Sequence, residues 1–359
     1  MDSVVWDGIA RGIYPGAVVV VGRRDTILLA KGYGRLTWQR SSPVPDVDST
    51  LWDLASLSKV VGTTPAIMRL VERGALNLDA AVARYLPRFI GDRKSEVTVR
   101  MLLDHTSGLP AYREFFRLAA TRDSAISLLY AEPLRRPPGL SAEYSDLNAM
   151  LLGLLVEAVA GMPLDRFVAH EVAGPLLMSQ TRYRPPKELW PGTAPTGVWH
   201  GHSSRGVVND RNAALLGGVA GHAGLFSTGR DLARCARMWL KRGAAPGGRF
   251  VKSETVDRFL THSPGSGTRL LGWDTPDPTT TESSSFGTLL SASAYGHTGW
   301  TGTAVWIDPG HDLFVVFLTN RSYAPRISSS IRALRAIRGR LSDAAVRAVG
   351  RSDEPAVSR

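Results

Sequence analysis

Along the chain, apolar residues recur with two different periods, and the switches between them mark the elements. From Pro15 to Trp38, "PGAVVVVGRRDTILLAKGYGRLTW" is β-branched and apolar, with polar GRRD in its middle. That pattern predicts a hairpin of two strands. "VVGTTPAIMRLVERGAL" carries apolar residues at helical spacing and ends near Gly74. Pro65 inside it is expected to kink or interrupt the helix, because proline lacks the N–H and its ring crowds the preceding turn. "VTVRMLLDHTSGLP" reads as a short helix stopped by Gly108 and Pro110, and "LNAMLLGLLVEAVAG" as a strongly apolar helix ending at Gly161. Close to the C-terminus, "AYGHTGWTGTAVWIDPGHDLFVVFLTN" (Ala294 to Asn320) predicts two or three strands turning at GWTG and DPGHD. The stretch after Tyr323 predicts a last helix, frayed beyond about Gly350.

Two segments lack either period: Tyr183 to Asp210, and Gly272 to Gly287. Long loops inside a compact domain are often functional. Strands near both chain ends with helices between them suggest a sheet whose strands come from both ends, with a helical insert between. The expected organisation is a single domain over 1–350. Its sheet part covers approximately 1–60 and 220–350, its helical part 61–219, and a tail follows at 351–359. No internal repeat is visible.

Composition changes this picture little. The chain has 359 residues, 43% of them apolar, enough for a sizeable core. The net charge of +11 raises the question of a nucleic-acid partner. Arginine is scattered through every segment, however, and only "SIRALRAIRGR" (Ser330 to Arg340) is densely basic. There is no zinc spacing and no basic region with heptads, so the reading is a solvated arginine-rich surface with no nucleic-acid partner. Cys235 is the only cysteine, which excludes an intramolecular disulfide and a cysteine metal site. Its place in "DLARCARMWL" fits core packing. The N-terminus has no basic start followed by an apolar stretch. No apolar run reaches the roughly 18 residues of a spanning helix. The expectation is a cytoplasmic chain without stable membrane insertion; a leader already removed stays open.

The chemistry begins at "LWDLASLSKVVGTTP" (Leu51 to Pro65), where Ser56 and Lys59 stand three apart at a helix start. Such residues share a helix face. Ser56 could cap the helix while Lys59 reaches for water. Alternatively, the serine is a nucleophile, and a lysine whose pKa is lowered takes its proton. The helix N-terminus would then favour a developing oxyanion. A second element is "AEYSDLN" (Ala142 to Asn148), in which Tyr144 offers a phenol for proton relay. Asp146 is there either the cap of the next helix or a polar arm into a site. A third is "GHTGWTG" (Gly296 to Gly302), opening a predicted strand. An extended substrate could add to such an edge, with Gly299 permitting close backbone approach.

Together, S-x-x-K, Y-S-D and H-T-G resemble the motifs of the penicillin-recognising serine hydrolases. The Tyr144 element is similar to the class C β-lactamase branch and its relatives among serine esterases and D-amino-acid peptidases. The likeness runs on through "MLLDHTSGLP" and "GGVAGHAGLFSTGRDLARCARMWL", from roughly Pro15 to Asn320. It implies an α+β, β-lactamase/transpeptidase-like fold: an antiparallel sheet from both chain ends flanked by helices, an all-helical region beside it and the active site in the cleft between. By position it implies Ser56 as the acylated nucleophile, Lys59 as the amine that helps deprotonate it, and Tyr144 as general base and then acid. His297, Thr298 and Gly299 would bind substrate, with an oxyanion hole from the Ser56 and Trp300 N–H groups. No metal or organic cofactor is implied.

Two departures bear on the substrate. His297 stands where lysine is usual, so a permanent cation becomes a group that titrates near neutrality. Asp146 stands where asparagine is usual, and an ionised carboxylate cannot donate to a substrate amide. Both weaken recognition of a carboxylate-bearing substrate. The resulting expectation is an esterase-like serine hydrolase acting on small-molecule ester or amide bonds. The alternative is a class C-type β-lactamase or a D-Ala-D-Ala carboxypeptidase or D-amino-acid peptidase. A non-catalytic binding module on the same fold is the rival from another class, and the presence of Ser56, Lys59 and Tyr144 together argues against it. Oligomeric state has no signature in the chain.

Overall fold

The hairpin read from the valine-rich start forms one side of a five-stranded antiparallel sheet. In the computed structural model, which describes residues 1–199, 202–277, 279 and 284–352, its strands are β1 (Gly16–Arg23) and β2 (Thr26–Gly34). The C-terminal stretch supplies three more: β3 (Tyr295–Thr298), β4 (Ala304–Asp308) and β5 (Leu313–Thr319). The order is β3-β4-β5-β1-β2, so the two ends of the chain meet where β1 pairs with β5. β3 is left as an edge strand.

Alternation along β1 fills two cores, because successive side chains in a strand point to opposite faces. Val19 and Val21 face a cluster with Val4 and Val5 of helix α1 (Asp2–Ala10) and Leu334, Ile337 and Leu341 of helix α5 (Ser330–Ser352). Val18 and Val20 face helix α4 (Gly229–Leu240), through Leu232, Ala233 and Ala236, and a larger core. Gly229 is required at the start of α4, since a Cβ there would lie 2.6 Å from Val18 Cγ1. Cys235 is buried on the core face of α4, and burial pushes its thiol up to about 12. That is a packing residue.

The larger core continues into the helical region through Ile67, Leu102, Leu151 and Leu155. Pro65 interrupts its helix as its chemistry requires. Lys59–Thr63 form a wide π turn in which the Thr64 N–H reaches back to the Lys59 carbonyl, and a regular helix α2 (Thr64–Glu72) follows. The stretch at 99 forms a single turn, Val99–Leu103. Helix α3 (Asp146–Ala160) ends at Gly161 in the left-handed conformation (φ +65°). Helix α1 had no counterpart in the sequence reading. α5 runs to Ser352, past the expected fraying point, and the remainder of the tail lies outside the described residues.

The aperiodic segment 183–210 holds a short helical turn, Lys187–Gly192, and a small hairpin of Gly197–Trp199 with His202–Ser204. Its residues 200–201 lie outside the described set. In 272–287, residues 278 and 280–283 lie outside it too. Asp274 pairs with Gly296 there, covering one position of the β3 edge. Among the described residues no single helix is long and apolar enough to cross a membrane.

Candidate active site

Ser56 sits on a tight turn fixed from several directions. The preceding two-residue strand, Trp52–Asp53, pairs with Leu225–Ser227. The buried Asp53 carboxylate then accepts the Ala55 N–H at 2.9 Å and the Asn209 N–H at 2.7 Å. Burial raises Asp53 to about 6, against the pull of these two donors. Ala55 is held at φ +47°, a conformation that costs an L-residue energy and that the Asp53 bond helps to keep. Ser56 follows at the mouth of the helix.

Lys59 is 4% exposed, and its Nζ has three oxygens around it: Ser56 Oγ at 3.0 Å, the His222 carbonyl at 3.1 Å and Asp146 Oδ1 at 2.7 Å. The contacts to Ser56 and His222 are hydrogen bonds, and the contact to Asp146 is an ion pair. Burial works against the charge, but Asp146 and Tyr144 outweigh it and raise Lys59 to about 12. The expectation of a lysine lowered towards a free amine is therefore corrected. The cause is Asp146, which the sequence reading placed against substrate and which here sits against Lys59 while still lining the cleft. The helix cap beside it is Ser145, whose Oγ accepts the Asn148 N–H at 3.4 Å.

Tyr144 lies over this pair, its ring centroid 5.1 Å from Lys59 Nζ. Burial raises the phenol above its usual range, although Lys59 and Ser56 favour its ionised form. Its ring is flanked by His105 at 4.8 Å and His297 at 5.8 Å. Each imidazole has one tautomer fixed by its neighbours. His297 Nδ1 is 3.0 Å from the Thr298 carbonyl, which can only accept, so Nδ1 carries the proton and Nε2 is a bare acceptor. Nε2 is buried and has no partner among the described residues. His105 Nδ1 accepts the Ser145 N–H at 3.1 Å, so its proton is on Nε2. Burial first, and nearby Lys59 and Arg269, push both imidazoles well below the usual histidine range, so both are neutral at pH 7.

The turn after β3 is bolted to the Ser56 turn. Thr301 Oγ1 donates to the Asp53 carbonyl at 2.7 Å, and Thr303 Oγ1 to the Leu54 carbonyl at 2.9 Å. Gly299 has a steric reason here: a Cβ would lie 2.2 Å from Thr303 Oγ1 and 2.5 Å from the Leu54 carbonyl oxygen. The close approach it permits is to the turn that carries Ser56. Arg338 donates to the Gly299 and Thr303 carbonyls at 3.0 and 2.7 Å, and Arg321 to the Trp300 carbonyl. The N–H groups of Ser56 and Trp300 have no acceptor among the described residues. Trp300 itself is 61% exposed at the rim.

Ser56, Tyr144, Asp146, His297, Thr298, Gly299 and Trp300 all line one cleft of about 1410 Å³. That exceeds the 300–1000 Å³ usual for a small ligand, so the cleft admits an extended one. The comparison that decides the family is the match of residues 1–338 to the model described as Beta-lactamase.

The chain belongs to the beta-lactamase family.

Among relatives of this family member, a protein of Escherichia coli K12 described as "Putative D-alanyl-D-alanine carboxypeptidase" is 33% identical over 346 residues, 87% of this chain and 80% of the relative. One of the same description from Salmonella enteritidis is 31% identical over 362 residues, 90% and 83% of the two chains. The class C beta lactamase of Rhodobacter sphaeroides superposes with a TM-score of 0.74 at 21% identity, covering 97% of this chain and 98% of its own. EstCE1, a hydrolase with promiscuous acyltransferase activity, does so at 0.73 and 23%, covering 93% and 97%. The fold is thus the α+β, β-lactamase-like one, and the family is one of hydrolases.

Four parts of the site escaped sequence reasoning: His105, Arg338, Arg269 and the pair His222–Asp210. His222 Nε2 is 2.9 Å from Asp210 Oδ1, and its main chain holds Lys59. Burial alone would raise Asp210, yet His222 holds it down to about 2. "DHTSGL" and "AGHAGL" were the available signals. Each is a histidine among glycine and small residues, where a tight turn brings side chain and backbone into a site together.

Proposed function

We propose that the protein is a serine hydrolase that acts through an acyl-enzyme on Ser56, esterase-like in its reacting end. The carrying observation is Lys59 Nζ at 3.0 Å from Ser56 Oγ and 2.7 Å from Asp146. In this reading Lys59 is a fixed cation. It favours the phenolate of Tyr144, which takes the Ser56 proton as Oγ attacks the substrate carbonyl. The N–H groups of Ser56 and Trp300 receive the oxyanion. As the tetrahedral intermediate collapses, the bond to the alcohol breaks and Tyr144 returns the proton to it. Water then enters by the same route, giving the acid and free Ser56.

The neutral His297 supports the ester reading, because it places no cation beside the reacting carbonyl, where a penicillin or a D-Ala-D-Ala peptide presents its carboxylate. The carboxypeptidase reading is favoured by a different observation: the Arg269 guanidinium lies 5.1 Å from the Tyr144 ring, a cation of the kind such a carboxylate needs. The comparison of kcat/KM for p-nitrophenyl butyrate, nitrocefin and a D-alanyl-D-alanine peptide separates the readings. The ester should be the best substrate. A higher value for the peptide or for nitrocefin would move the assignment to the corresponding alternative.

A further inference from the structure

The one dense basic run of the sequence lines the same cleft. Arg332, Arg335 and Arg338 stand at successive three-residue steps on α5, and all three border the space that Ser56 borders. Residues three apart are neighbours on a helix surface, and six residues span roughly 9 Å of helix. Arg338 forms the inner end. It is 3% exposed, and its Nε is buried with no partner among the described residues. Arg332 and Arg335 are exposed further out.

Among the described residues four carboxylates border the cleft, of which Asp277 accepts the N–H and the hydroxyl of Thr279. Asp146 is paired with Lys59, Asp210 with His222 and Asp274 with Arg269. Among the described residues no ion pair joins a carboxylate to Arg332, Arg335 or Arg338. A guanidinium offers a planar fork of donors that matches carboxylate and phosphate oxygens. Two exposed forks, Arg332 and Arg335, in line with the buried Arg338 that spends its Nη2 on the Gly299 and Thr303 carbonyls, make a binding surface for more than one negative charge. A solvated surface would not explain why the row opens onto the cleft or why its inner member is buried with a donor unused.

We propose that this row is a subsite for a substrate segment bearing at least two anionic oxygen groups, carboxylate or phosphate, beyond the neutral reacting end. It rests on the hydrolase reading for the position of the reacting centre. The substrate class is then an ester or amide whose far part is polyanionic. The positive charge missing at His297 has its counterpart on α5, at the exposed Arg332 and Arg335, where it selects the substrate without touching the reacting atoms.

The test is calorimetric titration of the Ser56→Ala protein with tricarballylate, inorganic pyrophosphate and acetate at matched ionic strength. At least one of the two polyanions should bind roughly tenfold or more tighter than acetate, as charge-assisted fork pairing implies. Tricarballylate ahead of pyrophosphate assigns carboxylates, the reverse assigns phosphate, and equal binding leaves the subsite open to both. Arg332→Gln/Arg335→Gln should remove most of the preference, and Arg335→Glu should reverse it. Both positions are exposed, so a matching melting temperature confirms folding. Arg40→Gln, exposed and outside the cleft, should change nothing. Acetate binding as tightly as both polyanions, or Arg40→Gln lowering the preference as much as the cleft variants, overturns the proposal. Ester turnover by the wild type, measured separately, reads the hydrolase assignment. Turnover without a polyanion preference sinks the subsite alone, and a polyanion preference without turnover sinks the hydrolase reading alone.

Discussion

On the wall of the cleft that carries Ser56, each carboxylate has its partner. Lys59 faces Asp146, His222 faces Asp210, and Asp53 accepts two backbone N–H groups. On the wall built from β3 and α5 the matching stops. His297 is neutral with one bare nitrogen, Arg338 and Arg321 spend donors on carbonyls, and Arg332 and Arg335 form no ion pair among the described residues. A buried ion is tolerated only when paired, because removing it from water costs several kcal/mol. The first wall therefore keeps a fixed charge pattern whatever enters the cleft. The second leaves its donors for what enters. In this account the first wall sets the reaction and the second sets the substrate.

The largest expected effect breaks the first wall. Lys59→Ala should lower kcat/KM for p-nitrophenyl butyrate by roughly 10²- to 10³-fold, the range typical of losing one electrostatic contact in an active site. It also leaves the Asp146 carboxylate without its cation, so the melting temperature should fall. A variant with wild-type turnover would take Lys59 out of the mechanism.

Asp146→Asn should come next. Without its carboxylate, Lys59 keeps the burial that lowers its pKa and loses the partner that raises it. The pH profile of kcat/KM should gain an inflection at lower pH than in the wild type, where Asp146 and Tyr144 together raise Lys59 to about 12. Denaturant unfolding should show a loss on the order of 3 kcal/mol, as for other buried pairs deprived of one partner. An unchanged profile would mean that the ion pair does not set the charge of Lys59.

His297→Lys carries the comparison to the second wall. It should lower KM for an anionic β-lactam several-fold at pH 8 and help a neutral ester little. Equal effects on both would place the residue's charge outside substrate choice. The smallest effect is one of shape. His105 and His297 are both pushed well below the usual histidine range. The wild-type profile for a neutral ester should therefore rise smoothly from pH 6 to pH 9 with the phenolate fraction of Tyr144. A step centred near 6.5 would assign a titrating imidazole to the free enzyme.

What the chain discloses in one dimension follows from distance along it. Ser56 and Lys59 are legible because a three-residue step fixes them on one face of a helix whatever the rest does. The hairpin, the three C-terminal strands and the Gly161 stop are legible for the same reason, each being local. The charge of Lys59 is not, because Asp146 arrives from a different helix. Ser145 and Asp146 are both good capping residues, so "YSD" alone does not say which one caps and which turns inward. Pro65 announced an interruption, but the π turn that absorbs it depends on the packing around Lys59–Thr63. Helix α1 was missed because its short, mixed sequence gains its helical state by packing on α5. "SIRALRAIRGR" looked like a solvated face, and only the tertiary fold turns three of its arginines onto the cleft.

The central claim is that Ser56 carries the acyl group. Its most direct test is intact-mass and peptide-mapping mass spectrometry after incubation with a fluorophosphonate, for the wild type and Ser56→Ala. The account predicts one adduct, mapped to the peptide holding Ser56, and none in the variant. An adduct that persists in Ser56→Ala, or a wild type that takes none while hydrolysing the ester, would contradict it.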